Sequence, residues 1–173
     1  KALEIVPHDR ILELGHGNGQ HINEILSEQE AVSYYGLEIS ELMNKEASRF
    51  NANEKVAFML YDGENIPYED DYFHKIMTVN TLYFWKEPTH LLSEIYRVLK
   101  PGGKFSCAFA EKDFMEKLPF TQFIFNLYDR VKVEKLIQST PFKKTVFQEH
   151  IEHLTGKDGQ SIERNYTIAI LEK

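Results

Sequence analysis

Cysteine is nearly absent from this chain. The only one, Cys107, excludes an internal disulfide, which suits a reducing compartment and leads to the expectation of a cytoplasmic protein. Its setting, Phe105-Ser106-Cys107-Ala108-Phe109, is that of a buried strand thiol and not of an exposed nucleophile. Long hydrophobic runs are missing as well. Nothing approaches the ~20 consecutive apolar residues of a membrane-spanning helix, and no signal-peptide pattern opens the chain. It starts at Lys1 rather than at Met, and some N-terminal residues are expected to be missing. Internal repeats, low-complexity segments and domain linkers are absent, so residues 1–173 read as one domain. With 42% hydrophobic and 27% charged residues, that length suffices to bury one sizeable core.

Positive charge is in deficit, with 20 Lys and Arg against 27 Asp and Glu, a net charge of −7. Proteins that work on a polyanion usually carry a basic face. The lysines at 132, 135, 143 and 144 are interleaved with carboxylates, so nucleic acid is disfavoured as a partner. Metal-ligand spacing is lacking too. His150 and His153 stand at i and i+3 in a strand-like run and so face opposite sides, and no metal site is expected.

What is present begins at Ile11-Leu12-Glu13-Leu14-Gly15-His16-Gly17-Asn18-Gly19. An apolar strand pattern runs into three alternate glycines, which permit a tight turn and leave bare backbone for a nucleotide-like ligand. A helix beginning near Gln20 would point its positive end at the turn. The dinucleotide fingerprint needs a glycine at the sixth position, where Gln20 stands instead. Downstream, Tyr34-Tyr35-Gly36-Leu37-Glu38-Ile39 is a second strand ending in an acid that can accept two ribose hydroxyls. Ile39 and Met43 beside it suit an adenine face. Val56-Ala57-Phe58-Met59-Leu60 is a third strand, followed by Asp62-Gly63, a turn whose carboxylate can accept from an adenine amine.

The pattern Glu13-x-Gly15-x-Gly17-x-Gly19 resembles the first motif of the S-adenosylmethionine-dependent methyltransferases with a Rossmann-like fold. The passage Ile66-Pro67-Tyr68-Glu69-Asp70-Asp71-Tyr72-Phe73-His74 resembles that family's entry to strand four, and Arg97-Val98-Leu99-Lys100-Pro101-Gly102-Gly103 its entry to strand five. The likeness covers about residues 10–110, within the small-molecule group that includes ubiquinone and menaquinone biosynthesis enzymes. It implies that Glu13, Gly15, Gly17 and Gly19 hold the methionine end of S-adenosylmethionine. Glu38 and Ile39 would take the ribose and its surroundings, Asp62 with Gly63 the adenine, and Asn80 the approach to the methyl group. Two departures stand out: His74 replaces an Asp usual in the family, and His16 fills a position of the glycine turn often held by a small residue or Cys. The Asn-Pro-Pro-aromatic loop of DNA amino-methyltransferases is not met, since Asn80-Thr81-Leu82-Tyr83 lacks both prolines, and no Pro-Cys motif occurs.

Helical periodicity marks residues 21–28, 42–51, 88–99 and 131–139, each following a strand or a lid segment. The reading is an α/β, three-layer Rossmann-like sandwich. By resemblance its sheet has seven mostly parallel strands in order 3-2-1-4-5-7-6, with strand 7 antiparallel. Residues 144–154 and 161–171 form the terminal hairpin across Gly156-Lys157-Asp158-Gly159. Residues 111–142, rich in Phe114, Met115, Leu118, Phe120, Phe123, Ile124, Phe125, Leu127 and Tyr128, combine a substrate lid with the last crossover helix. Phe84 and Trp85 are expected to pack the following helix. Methyl transfer from a sulfonium needs a base only if the acceptor atom holds its proton tightly, and Tyr83, His90 and His150 are the candidates. The acceptor is read as a small, partly apolar molecule. A nicotinamide-dependent oxidoreductase shares the strand, turn and Glu38 but would need the third fingerprint glycine, where Gln20 stands. A non-catalytic S-adenosylmethionine-binding module is the other alternative.

Overall fold

The computed structural model describes residues 2–51, 53–121, 125–155 and 161–173. In chain order these form β1 (Arg10–Leu14), α1 (Ile22–Ser27), β2 (Ser33–Glu38), α2 (Glu41–Phe50), β3 (Val56–Leu60) and β4 (Phe73–Val79). A 3₁₀ turn at Leu82–Phe84 leads to α3 (Pro88–Val98), β5 (Leu99–Ala110) and the short α4 (Lys112–Met115). A second 3₁₀ turn at Pro119–Thr121 precedes α5 (Arg130–Gln138), β6 (Lys144–Thr155) and β7 (Ser161–Glu172). The seven strands join one sheet in the order β3-β2-β1-β4-β5-β7-β6. The pairs β1–β2, β2–β3, β1–β4 and β4–β5 are parallel, whereas β7 runs antiparallel to β5 and β6. Strand numbering in space and the direction of β7 are those expected. The hairpin turn expected at 156–159, and Phe123 and Ile124 of the expected lid, lie outside the described residues.

Alternation along β5 shows how the layers are arranged. Phe105 and Cys107 face a packed zone with Leu92 of α3 and Val133, Leu136 and Ile137 of α5. Ser106 and Ala108, on the opposite face, look toward Glu24, Ile25 and Glu28 of α1. Helices therefore cover both faces. The main core lies on the α3–α5 side, where Ile76, Leu91, Leu92, Ile95, Val98, Leu99, Phe105, Phe109, Ala169 and Leu171 are buried together. Cys107 sits in that core as expected, and burial pushes its thiol up to about 12. It is a packing residue. Among the described residues, no helix is long and apolar enough to cross a membrane.

His74 and Arg97 each have a local structural role. His74, where an Asp was expected, opens β4 and accepts the Arg10 N–H on Nδ1 at 3.0 Å, so an imidazole nitrogen does an acceptor's work between two strands. Arg97 does more than precede a turn. Its guanidinium donates to Glu94 (Nε to Oε1, 2.8 Å; Nη2 to Oε2, 2.8 Å), to the carbonyls of Ile66 (2.9 Å) and Tyr68 (2.8 Å), and to Asp70 (2.8 Å). Glu94 in turn accepts the Ile66 N–H at 3.1 Å. The loop between β3 and β4 is thus clamped onto α3 by one planar fork, a geometry Lys could not reproduce. Replacing Arg97 with Ala is expected to lower unfolding stability by roughly 2 kcal/mol, because the carbonyls and Glu94 lose a charged donor. Urea denaturation of the two proteins measures this, and an unchanged midpoint would contradict the clamp.

Candidate active site

The strand order reverses between β1 and β4, and crevices at such switch points, beyond the carboxyl ends of the strands, are where open α/β sheets bind ligands. A cavity of about 410 Å³ opens there. Its walls come from the ends of successive strands: Gly15 and Gly17 after β1, Glu38, Ile39 and Ser40 at β2, Tyr61 and Gly63 after β3, and Val79, Asn80 and Thr81 after β4, with Phe84 and Trp85 beyond. The wall is mostly apolar, with one carboxylate and a row of backbone groups.

The glycine turn is shaped by what approaches it. Gly15 has φ +74°, and a Cβ there would stand 2.5 Å from Cγ2 of Thr81. Both facts require glycine. Gly15 N–H donates to the Leu37 carbonyl at 2.7 Å, tying the turn to β2. Asn51, at the end of α2, donates from Nδ2 to the Gly19 carbonyl at 3.0 Å. Glu38 is buried and accepts three backbone N–H groups: Gly17 on Oε2 at 3.0 Å, and Ile39 and Ser40 on Oε1 at 2.9 and 3.0 Å. Three bonds leave spare acceptor capacity on a carboxylate that has about four lone-pair sites, and that capacity faces the cavity. The donor set fits an adenosyl ligand. A carboxylate stands ready for a diol, Ile39 is 63% exposed beside it for a flat base, and the turn meets the cavity at Gly15 and Gly17, which carry no Cβ.

The remaining expected residues are placed less simply. Glu13 is 2% exposed and does not line the cavity. Its Oε2 accepts from the Tyr34 hydroxyl and lies 2.7 Å from Nε2 of His21, beneath the turn. Asp62 has turned into its own loop, where Oδ1 accepts from the N–H groups of Glu64 and Asn65 at 2.8 and 2.7 Å and Oδ2 from the Asn65 amide at 2.6 Å. These bonds hold its carboxyl down at about 2. Gly63 and Tyr61, its neighbours, form the wall. Met43 is not on the wall; its N–H is capped by Ser40 Oγ at the start of α2. Asn80 lines the cavity with a left-handed φ of +57°, an uncommon conformation that Asn tolerates best among residues with a side chain.

Of the base candidates, His90 is held by the adenine-side loop, with Nε2 3.2 Å from Asn65 Oδ1. The Tyr83 hydroxyl is engaged by the Ala110 N–H and lies 3.2 Å from the Ala110 carbonyl. Burial pushes it up to about 12. His150 lies in a second cavity, of about 480 Å³, on the face of β4, β5, β7 and β6, where it stacks on Tyr166 at 5.0 Å. That cavity is larger but has neither the glycine turn nor Glu38; it meets the first at Val79. Trp85 is buried among Leu91, Leu92 and Ile95 of α3, as expected, and also lines the site. Phe84, 49% exposed, lies on the cavity wall, where the 3₁₀ turn carries it past the end of β4. Thr81, Ser40 and Tyr61 were missed. No sequence signal marks them beyond their places just after β4, β2 and β3. No cluster of metal-ligating side chains occurs among the described residues.

Fold and site together define an α/β protein with a glycine-walled cavity at a topological switch point. Residues 12–107 match the methyltransferase domain family, more than half of the chain, and the chain belongs to that family, the class I S-adenosylmethionine-dependent methyltransferases. The uncharacterized methyltransferase YdaC of Bacillus subtilis is 34% identical over 102 residues, which cover 59% of this chain and 56% of that protein. The chain thus spans about a third to three fifths of the length of the curated relatives it matches. Among solved structures, YcgJ of Bacillus subtilis superposes with a TM-score of 0.76 at 15% identity, covering 99% of this chain and 94% of that one. Phosphoethanolamine N-methyltransferase 2 of Haemonchus contortus, in complex with S-adenosyl-L-methionine, superposes at 0.75 with 17% identity, covering 98% and 49%. These two likenesses concern the fold.

The Glu13–His21 contact makes a pH prediction. Hydrogen bonding to Glu13 raises the His21 pKa above 6.5 in the folded state. A raised folded pKa stabilises fully below the unfolded value, near 6.5, and the contribution is lost as pH rises through the folded value. The stability difference between the natural protein and His21→Ala should therefore be largest near pH 6 and shrink toward pH 8. Thermal unfolding across that range checks it; a difference that grows with pH would refute the pairing.

Proposed function

We propose that this protein transfers the methyl group of S-adenosylmethionine to a small, partly apolar molecule by in-line displacement. The observation that carries the reading is Glu38: a buried carboxylate at the tip of β2, held by three backbone amides with its free lone pairs toward the cavity. Bound S-adenosylmethionine would supply an electrophilic sulfonium methyl. The chain's own work is then to bind, orient and exclude water. Glu38 takes the ribose hydroxyls, and Ile39, Tyr61 and Gly63 flank the base, with the outer lone pairs of Asp62 within the adenine amine's reach. Gly15, Gly17 and Gly19 hold the amino-acid end, and Glu13 places negative charge beneath them. Asn80 stands beside the path to the methyl group.

The acceptor side is argued from exposed apolar groups. Val79, Phe84 and Phe120 are 43%, 49% and 60% exposed. The Phe84 and Phe125 rings are tilted against each other with centroids 4.8 Å apart, and Phe125 lies 5.9 Å from Phe120. Apolar surface around the mouth of the cavity suits an uncharged or partly apolar acceptor, and supports a lid role for residues 111–142. No side chain at the site is assigned as a general base.

Calorimetric titration tests this directly. S-adenosylmethionine and S-adenosylhomocysteine should bind, whereas NAD and NADP should not. Glu38→Gln should weaken both sulfur ligands by about tenfold or more, the loss expected when a charged acceptor becomes neutral. Dinucleotide binding would favour an oxidoreductase. Tight sulfur-ligand binding without turnover on any screened acceptor would favour a cofactor-binding module.

A further inference from the structure

His16, inside the glycine turn, is 2% exposed. Its imidazole lies on the bare backbone of Gly36 in β2: a Cβ at Gly36 would stand 2.5 Å from Cδ2 of His16 and 2.9 Å from Cδ1 of Phe58. The ring also packs against Phe58, with centroids 4.7 Å apart. Nδ1 is 2.9 Å from the Gly17 carbonyl. A carbonyl only accepts, so Nδ1 carries the proton. Burial lowers the pKa of the ring below 6.5 against the pull of Glu38 and Glu13, and the imidazole is neutral near pH 7. Nε2 and the nearby Asn44 Oδ1 are both buried without a hydrogen-bond partner among the described residues, and turning the Asn44 amide lets its NH₂ donate to Nε2.

The consequence lies in the peptide planes around Gly17. Its N–H is held by Glu38 at 3.0 Å, and its carbonyl is held by His16. In a trans peptide the C=O and the following N–H point opposite ways. A Gly17 carbonyl drawn inward to the imidazole therefore sends the Asn18 N–H outward, to the open side of the turn. An outward amide on a glycine turn is a donor for a carboxylate.

We propose that His16 is a positioning residue: its neutral imidazole, wedged on Gly36, fixes the Gly17–Asn18 peptide so that the turn presents an amide to the carboxylate of the methyl donor's amino-acid end. This rests on the S-adenosylmethionine reading above. The ring touches neither the reacting atoms nor the ribose. Its effect is confined to the part of the ligand that carries the carboxylate.

Calorimetry with two probes separates this role from a general structural one. S-adenosylhomocysteine carries the carboxylate and adenosine does not. His16→Ala and Gly36→Ala should each weaken S-adenosylhomocysteine about tenfold, while adenosine affinity changes less than twofold. The double variant should be no weaker than either single one, because the imidazole that the added Cβ would displace is then already gone. Nitrogen-15 NMR of the natural protein should show a neutral His16 protonated on Nδ1 at pH 7, a readout independent of any variant's folding. Equal binding of S-adenosylhomocysteine by the natural protein and His16→Ala overturns the proposal. So does an equal loss for adenosine, or an Nε2-protonated ring. Failure of the natural protein to bind either probe would instead remove the donor reading, and this inference with it.

Discussion

The Glu38 carboxylate joins two pieces of backbone that are otherwise separate. One oxygen holds the glycine turn after β1; the other holds the first two amides beyond β2, Ser40 being the N-cap of α2. A buried carboxylate is costly to keep charged unless it is hydrogen-bonded, and these amides would in turn be costly to bury unpaired. Each group therefore solves the other's problem. The result is a rigid corner where two adjacent parallel strands end, and the rest of the cavity is measured from it.

The same logic explains why the turn is stiff on its inner side. The Gly15 N–H goes to Leu37, the Gly17 carbonyl to His16 and the Gly19 carbonyl to Asn51. Three glycines in the left-handed region would cost much conformational entropy if left free. Anchors from β2, α2 and the turn itself hold that geometry before any ligand arrives. Preorganisation of this kind lowers the ordering cost of binding.

Much of this was legible in the sequence, for reasons that also mark its limit. A left-handed turn after a buried strand tolerates few residues, so Gly15, Gly17 and Gly19 announced themselves, and Glu38 followed from its place at the end of the next strand. The sheet order came through resemblance, since no periodicity reveals which strands are neighbours. Glu13 was visible as an acid before the turn, but not its partners. Tyr34 reaches it from β2, whose Gly36 lies opposite Glu13 in register, and His21 from α1. Arg97 was read as part of a turn, whereas its carbonyl partners lie about thirty residues earlier in the chain. Phe84 was assigned to packing because a 3₁₀ turn at Leu82–Phe84 has no strong local signal. Contacts between residues distant in sequence are what the chain conceals.

The end of β4 shows how one strained residue can serve both halves of a site. A strand that continued past Val79 would carry its side chains on across the crevice. Asn80 stops it with a left-handed φ of +57°, at a cost on the order of 1 kcal/mol, least for Asn or Gly. Two contacts hold the conformation: the Asn80 N–H donates to the Ala108 carbonyl at 2.9 Å, and the Tyr83 hydroxyl lies 3.4 Å from Asn80 Oδ1. The chain then turns through Leu82–Phe84 and lays Phe84 on the cavity wall. Val79, the last strand residue, is left exposed between the two cavities. The strain thus sits where the backbone must leave the sheet for the polar, glycine-walled half and the apolar half to open beside each other.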